Sequence, residues 1–197
     1  MKEERRKLNI GCGIFRKKGF INVDGVASMK PDVLHDLNSY PYPFEENSFD
    51  LTEADHVIEH LKDPFQVMRE LHRILNPNGL LVVRVPHFSR GFTHADHRRG
   101  FDVSFPYYFQ PKFTAGYTGV HFMLKQMKLR WFAQPYLKKK IMPLPIFYIM
   151  QLWGWVIDTL ANISPFICSR IWCYWVGGFE EILFHFVPVK GESKVMP

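Results

Sequence analysis

The sequence predicts an α/β domain built on a mainly parallel sheet. Three observations carry this: short strand-forming segments, a capped amphipathic helix among them, and a nearly continuous apolar run over 80–85 (LLVVRV), as in a strand covered on both faces. A chain of 197 residues, 47% hydrophobic and 22% charged, suits a single domain with a buried core.

Residues 7–10 (KLNI) form a short strand running into Gly11-Cys12-Gly13. Residues 20–24 (FINVD) alternate as a second strand, 32–37 (DVLHDL) form a third, and 49–54 (FDLTEA) a fourth. Pro41, Pro43 and Asn47 mark the intervening loop. Asp63 is a good N-cap, Pro64 suits the first helical position, and Gln66 completes a capping-box pattern. Phe65, Met68, Leu71, Ile74 and Leu75 then give one apolar helix face, and residues 76–79 (NPNG) stop the helix. Segments 120–131 and 179–189 are two further strands. Only residues 12–19 separate the first two strands, too few for the usual crossover helix, so that crossover is shortened.

The formal net charge of +6 arises from short basic runs, which read as solvated surface more readily than as a nucleic-acid footprint. Cys12, Cys168 and Cys173 are odd in number and lack metal-finger spacing, which fits a reducing cytoplasmic setting. The charged start, MKEERRKLNI, carries no apolar leader segment.

Strand, Gly-x-Gly and a second strand ending in an acid make a nucleotide-binding layout. Glycine lets a ligand approach the backbone, and the acid can accept both ribose hydroxyls. A dinucleotide fingerprint needs a third glycine where Arg16 stands, and an acid later than Asp24. A cofactor without a pyrophosphate needs neither. The segments LNIGCG, INVD, HDL, PFEENSFDLTEADHVIEHL and LHRILNPNGLLVVRVPHFS, in this order over residues 8–108, resemble the small S-adenosylmethionine-dependent methyltransferases of the methyltransferase-11 type. The resemblance implies a Rossmann-like fold and S-adenosylmethionine as cofactor. Gly11, Cys12 and Gly13 would line its methionine portion, and Asp24 would bind the ribose. Asp36 and Leu37 would sit beside the adenine, and Ala54 and His56 would close the floor under the sulfonium. Without a ligand, Asp24 and Asp36 would be turn or capping residues.

His56-Val-Ile-Glu-His60 also spells the inverted zinc-peptidase signature H-x-x-E-H. The same letters belong to the methyltransferase segment, with the first His near the cofactor and the second structural, so no metal is expected. His87, His94, Asp96 and His97 follow the fifth strand, outside the carboxyl ends of the sheet, where ligands bind. His97 and His87 are the candidate bases for an acceptor hydroxyl, with Asp96 as orienting partner. Otherwise these side chains stabilise the loop. Arg98 or Arg99 could hold an acidic substrate group.

Residues 141–157 contain no charge, follow Lys138-Lys139-Lys140, and are shortened as a helix by Pro143 and Pro145, so no membrane span is expected. They form either a lid over the substrate pocket, a dimer contact, or a helix in an anionic membrane interface with Trp153, Trp155, Trp172 and Trp175 at headgroup depth. The expected layout is one domain over 1–197: a cofactor-binding core over 6–137, an apolar helical insert or lid over 138–178, the final strand over 179–190 and a tail over 191–197. The expected activity is methyl transfer to an oxygen of a small-molecule, glycan or lipid-linked acceptor, in a cytoplasmic or membrane-associated enzyme. The alternatives are a non-catalytic cofactor-binding scaffold and, lacking an Asn-Pro-Pro-Tyr-type motif, a nucleic-acid methyltransferase.

Overall fold

A computed structural model describes residues 5–191, so most of the expected tail lies outside the described residues. Strands β1 (Lys7–Ile10), β2 (Ile21–Asp24), β3 (Val33–Leu34), β4 (Phe49–Asp55), β5 (Leu75–Pro86), β6 (Phe122–Arg130) and β7 (Glu181–Pro188) form one sheet. Their order is β3-β2-β1-β4-β5-β7-β6. The first five are parallel, and β7 runs antiparallel between β5 and β6. This is the mostly parallel, Rossmann-like architecture expected.

The third strand is far shorter than the expected 32–37. Asp32 turns its carboxylate onto the Asn22 amide at 2.8 Å, and Asp36 accepts from the Asn38 amide at 2.9 Å. Such local side-chain bonds compete with ladder pairing. Helix α1 (Pro64–Ile74) starts where expected, with Asp63 Oδ1 accepting from the amides of Phe65 (2.8 Å) and Gln66 (3.1 Å). The capping box does not close, because Gln66 Oε1 accepts from Arg69 instead. Val67, Met68, Leu71 and Ile74 form the buried face, while Phe65 is only half-buried and Leu75 already belongs to β5. Gly79 passes so close to β4 that a Cβ would lie 2.9 Å from the Phe49 carbonyl oxygen.

No helix forms between β1 and β2. The two faces of the sheet therefore differ. Leu8, Ile10, Val23, Thr52, Ala54, Leu81 and Val83 share the face covered by α1. Asn9, Asn22, Glu53, Asp55 and Arg84 share the opposite one. A sheet face without a covering helix stays wet, and its side chains are polar.

The insert contains α2 (Pro135–Lys138), α3 (Leu144–Ala161) and α4 (Pro165–Arg170). Pro143 and Pro145 begin α3 rather than shorten it, because the first helical turn needs no amide donors. The resulting 18-residue helix is not shortened as expected, and by length and composition alone it is long and apolar enough to cross a membrane. Only Phe147, Gly154, Asp158 and Ala161 are buried, a narrow stripe against the edge strand β6. Polar bonds lash it there: Trp131 N to Asp158 Oδ1 at 2.7 Å, and Asn162 to both the amide and the carbonyl of Leu129 at 2.9 Å. Trp153, Trp155 and Trp175 are exposed as expected, but Trp172 is half-buried near Phe179.

Candidate functional site

The chain leaves β1 at Gly11, whose φ of +61° is left-handed. A Cβ there would stand 2.2 Å from a Val57 methyl, so this glycine is a packing requirement. Gly13 is also left-handed, at +47°, but a Cβ there would meet nothing within 4 Å. Its amide donates to Asp24 Oδ2 at 2.8 Å, and the Val26 amide donates to Oδ1 at 2.9 Å. Each carboxylate oxygen keeps a further lone pair, enough for a ribose diol. The His35 amide donates to the Asp24 carbonyl at 3.0 Å, which brings the Asp36–Leu37 segment alongside this turn. An open glycine backbone, an acid at the strand end and a neighbouring Asp-Leu fit the donor set S-adenosylmethionine requires. Leu37 is buried in the core, and Asp24, Asp36 and Leu37 are not among the residues that line the large cleft beside this turn.

A cleft of about 1610 Å³ extends from Gly11, Cys12 and Gly13 across the polar sheet face to α2 and α3. That volume exceeds an ordinary small-molecule pocket and has room for a cofactor and an acceptor together. Its floor is a charge network. Lys17 Nζ lies 2.6 Å from Asp55 and bonds Glu53 as well, and Arg84 bonds Asp55 in turn. Burial opposes the charge on Lys17, but its bonds to Asp55 and Glu53 prevail and raise its pKa. Phe15, from the glycine turn, meets Tyr136 of α2 edge-to-face at 5.8 Å, and Gly154 and Trp155 of α3 line the same space. The sequence signal for this floor was the polar alternation in β4, Glu53 and Asp55. Glu181 lies too far along the chain for any local signal.

At the end of β4, Ala54 is fully buried on the core face, so it does not form the floor of the cleft. His56 does line the cleft. Its φ of +49° is unusual for a residue with a side chain, and Gln134 across the cleft has +48°. Such strain concentrates at functional sites. His56 Nε2 lies 2.8 Å from Glu181 and Nδ1 3.3 Å from Glu59. Burial opposes protonation, yet these two carboxylates prevail and raise its pKa to about 9.

The loop after β5 departs from the expected catalytic arrangement. His87 is fully buried, held by Ser89 at 2.7 Å and Ser169 at 2.8 Å, so it cannot serve as the base. Burial pushes its pKa down to about 4. Asp96 does not orient His97: it bonds His94 and lies 3.2 Å from His60. His97 lines a second cavity of about 520 Å³ that shares His56, His94, Ala133 and Gln134 with the large cleft. Its Nδ1 donates to the Gly91 carbonyl at 2.6 Å, which turns Nε2 toward Glu59, 3.9 Å away. Arg99 donates to the Lys62 carbonyl, and neither Arg98 nor Arg99 lines the two cavities. The H-x-x-E-H segment is a loop and a short 3-10 turn (Ile58–His60), not a helix carrying both histidines on one face.

Comparison with known proteins points the same way. A family model described as a methyltransferase domain, of the methyltransferase-11 type, matches residues 21–83. A curated relative, an uncharacterized 37.1 kDa protein in a transposon of Streptomyces fradiae, is 41% identical over 44 residues; the match spans 22% of this chain and 13% of the relative's length. Among solved structures, an S-adenosylmethionine-dependent methyltransferase from Archaeoglobus fulgidus is similar in fold, with a TM-score of 0.54, 18% identity, and coverage of 94% of this chain and 86% of the other. Phosphoethanolamine N-methyltransferase 2 of Haemonchus contortus, in complex with S-adenosyl-L-methionine, gives a TM-score of 0.55 at 20% identity over 96% of this chain and 50% of that one.

Proposed function

We infer that this S-adenosylmethionine-dependent methyltransferase of the methyltransferase-11 type methylates a hydroxyl of a lipid-linked or other membrane-bound acceptor. One observation carries the reading: the roof of the cleft is α3, and the outer side of that roof is apolar and exposed. Leu152 and Trp153 are each more than half exposed, as are Trp155, which also lines the cleft, and Ile163 and Trp175 beyond the helix. A contiguous apolar surface of this kind marks an interaction site. Lys139 and Lys140 stand exposed at its edge, while Lys138 is engaged by Glu180. Exposed tryptophans with flanking lysines suit the interface of an anionic bilayer. The polar lashing to β6 supports a helix lying on that surface rather than crossing it.

When bound, S-adenosylmethionine supplies a methyl group on a sulfonium, open to in-line displacement. Gly11, Cys12 and Gly13 receive its methionine end, Asp24 holds the ribose hydroxyls, and Asp36 and Leu37 flank the adenine. His56, pinned between Glu59 and Glu181, borders the reacting end. α2 and α3 exclude water and admit the acceptor from the lipid side. His97, which lines the adjoining cavity, would receive the acceptor's proton through Nε2. Positioning is the main contribution in such a displacement.

Two measurements test this. Calorimetric titration with S-adenosylmethionine, on wild type and Asp24→Asn, reads the cofactor site; binding by the wild type and its loss in the variant is expected. Co-sedimentation with phosphatidylglycerol vesicles reads the surface. Binding at low salt, lost in Trp153→Ser/Trp155→Ser/Trp175→Ser, is expected; no wild-type binding refutes the membrane-bound acceptor.

A further inference from the structure

We propose that Glu59, His60 and His97 form a binding site for a divalent transition-metal ion of the zinc class. Ligating atoms of the three residues lie within 4.8 Å of one another, and those of His94, Asp96 and His97 form an adjoining set within the same limit. Ligands at about 2.0–2.2 Å from one zinc ion stand roughly 3.4 Å apart, so the cluster needs to close by up to about 1.4 Å to seat it.

Glu59 is the first reason to place a cation here. It is fully buried, and among the described residues neither of its carboxylate oxygens has a hydrogen-bond partner. The raised pKa of His56 brings one positive charge to within 3.3 Å of it, and His97 stands at 3.9 Å, but neither makes a hydrogen bond to it, so both buried oxygens remain open to a metal ion.

The second reason is the orientation of His97. Nδ1 lies 2.6 Å from the Gly91 carbonyl oxygen, and Nε2 is the atom that faces Glu59, 3.9 Å away. A ring whose other nitrogen donates to a backbone carbonyl is the ordinary arrangement of a metal-bound histidine. His60 Nδ1 lies 3.2 Å from the exposed carboxylate of Asp96.

Two histidines and one glutamate leave a fourth position open, as in sites where zinc binds a water or substrate oxygen. His60 and His97 face the smaller cavity, so that position opens toward the cleft. The cation and a proton compete for one lone pair on His97. Where the ion is seated, it polarises the acceptor oxygen and His97 does not act as the base. That consequence rests on the methyl-transfer reading; metal binding does not.

The test needs neither cofactor nor acceptor. Purified protein is dialysed against zinc ions alone, and bound metal is counted by mass spectrometry. Cobalt substitution then reads coordination through visible absorption. One equivalent per wild-type chain is expected, with a tetrahedral cobalt spectrum. His60→Ala/His97→Ala should lose the ion, Glu59→Gln should weaken it by at least about tenfold, and His121→Ala should leave it unchanged. Circular dichroism verifies folding, and the single variant His60→Asn serves if the double variant is unfolded. Failure of the wild type to hold stoichiometric metal overturns the proposal, as does full retention in the folded histidine variants.

Discussion

Replacing Gly11 by alanine tests whether the first glycine of the motif serves packing rather than the ligand. The new Cβ would lie 2.2 Å from Val57 Cγ2 and 2.6 Å from Val57 Cβ. Val57 is buried and follows His56, whose left-handed backbone is tied to the Arg84 carbonyl at 2.9 Å, so it has little freedom to retreat. Overpacking of this kind costs typically 1–3 kcal/mol, roughly. The left-handed φ adds about 1–2 kcal/mol for any side chain. A loss of about 2–5 kcal/mol follows, a large part of an ordinary domain's stability. Urea denaturation measures it. Val57→Ala alone should cost about 1.5–3 kcal/mol by lost burial. In the double variant the collision with Cγ2 disappears while the 2.6 Å contact with the residue-57 Cβ and the φ cost remain, so the pair should be about 1 kcal/mol better than additive. Strict additivity would refute the reasoning, because Val57 would then not be what excludes a side chain.

Gly13→Ala should behave differently, losing only about 1–2 kcal/mol of stability while calorimetry shows S-adenosylmethionine affinity falling about tenfold or more as the methyl group enters the open turn; unchanged affinity would remove Gly13 from the cofactor cradle. His87, held near pKa 4 against an ordinary 6.5, makes stability depend on pH. The unfolded chain binds the extra proton, so this contribution is complete above about pH 6.5 and falls as pH drops toward 4, by up to about 3.4 kcal/mol; denaturation of wild type and His87→Asn at pH 7, 5 and 4 should show the slope reduced in the variant. Asp63→Ala removes the acceptor for two amides at the start of α1 and should cost about 1 kcal/mol in thermal or urea unfolding.

The methyltransferase-type fold was legible because its signals are local. Strand residues 7–10, the Asp63 cap and the Gly11–Gly13 turn all depend on neighbours within a few positions, and each formed where expected. The same locality explains the failures. Period two in β4 tells that Ala54 and Asp55 face opposite sides, but not which side the helix will cover. Pro143 and Pro145 look like helix breakers until their place in the first turn is known.

The α/β class, the places of the first strands and of α1, and the apolar character of the insert were therefore determined by the sequence itself, through backbone preference and the spacing of apolar side chains. The tertiary structure alone decided that His87 is sealed against Ser169, that Glu181 reaches His56 from 125 residues along the chain, and that His97 turns Nε2 toward buried Glu59. These are relations between distant segments. They are set by strand register and by which elements pack together, and no local propensity encodes either.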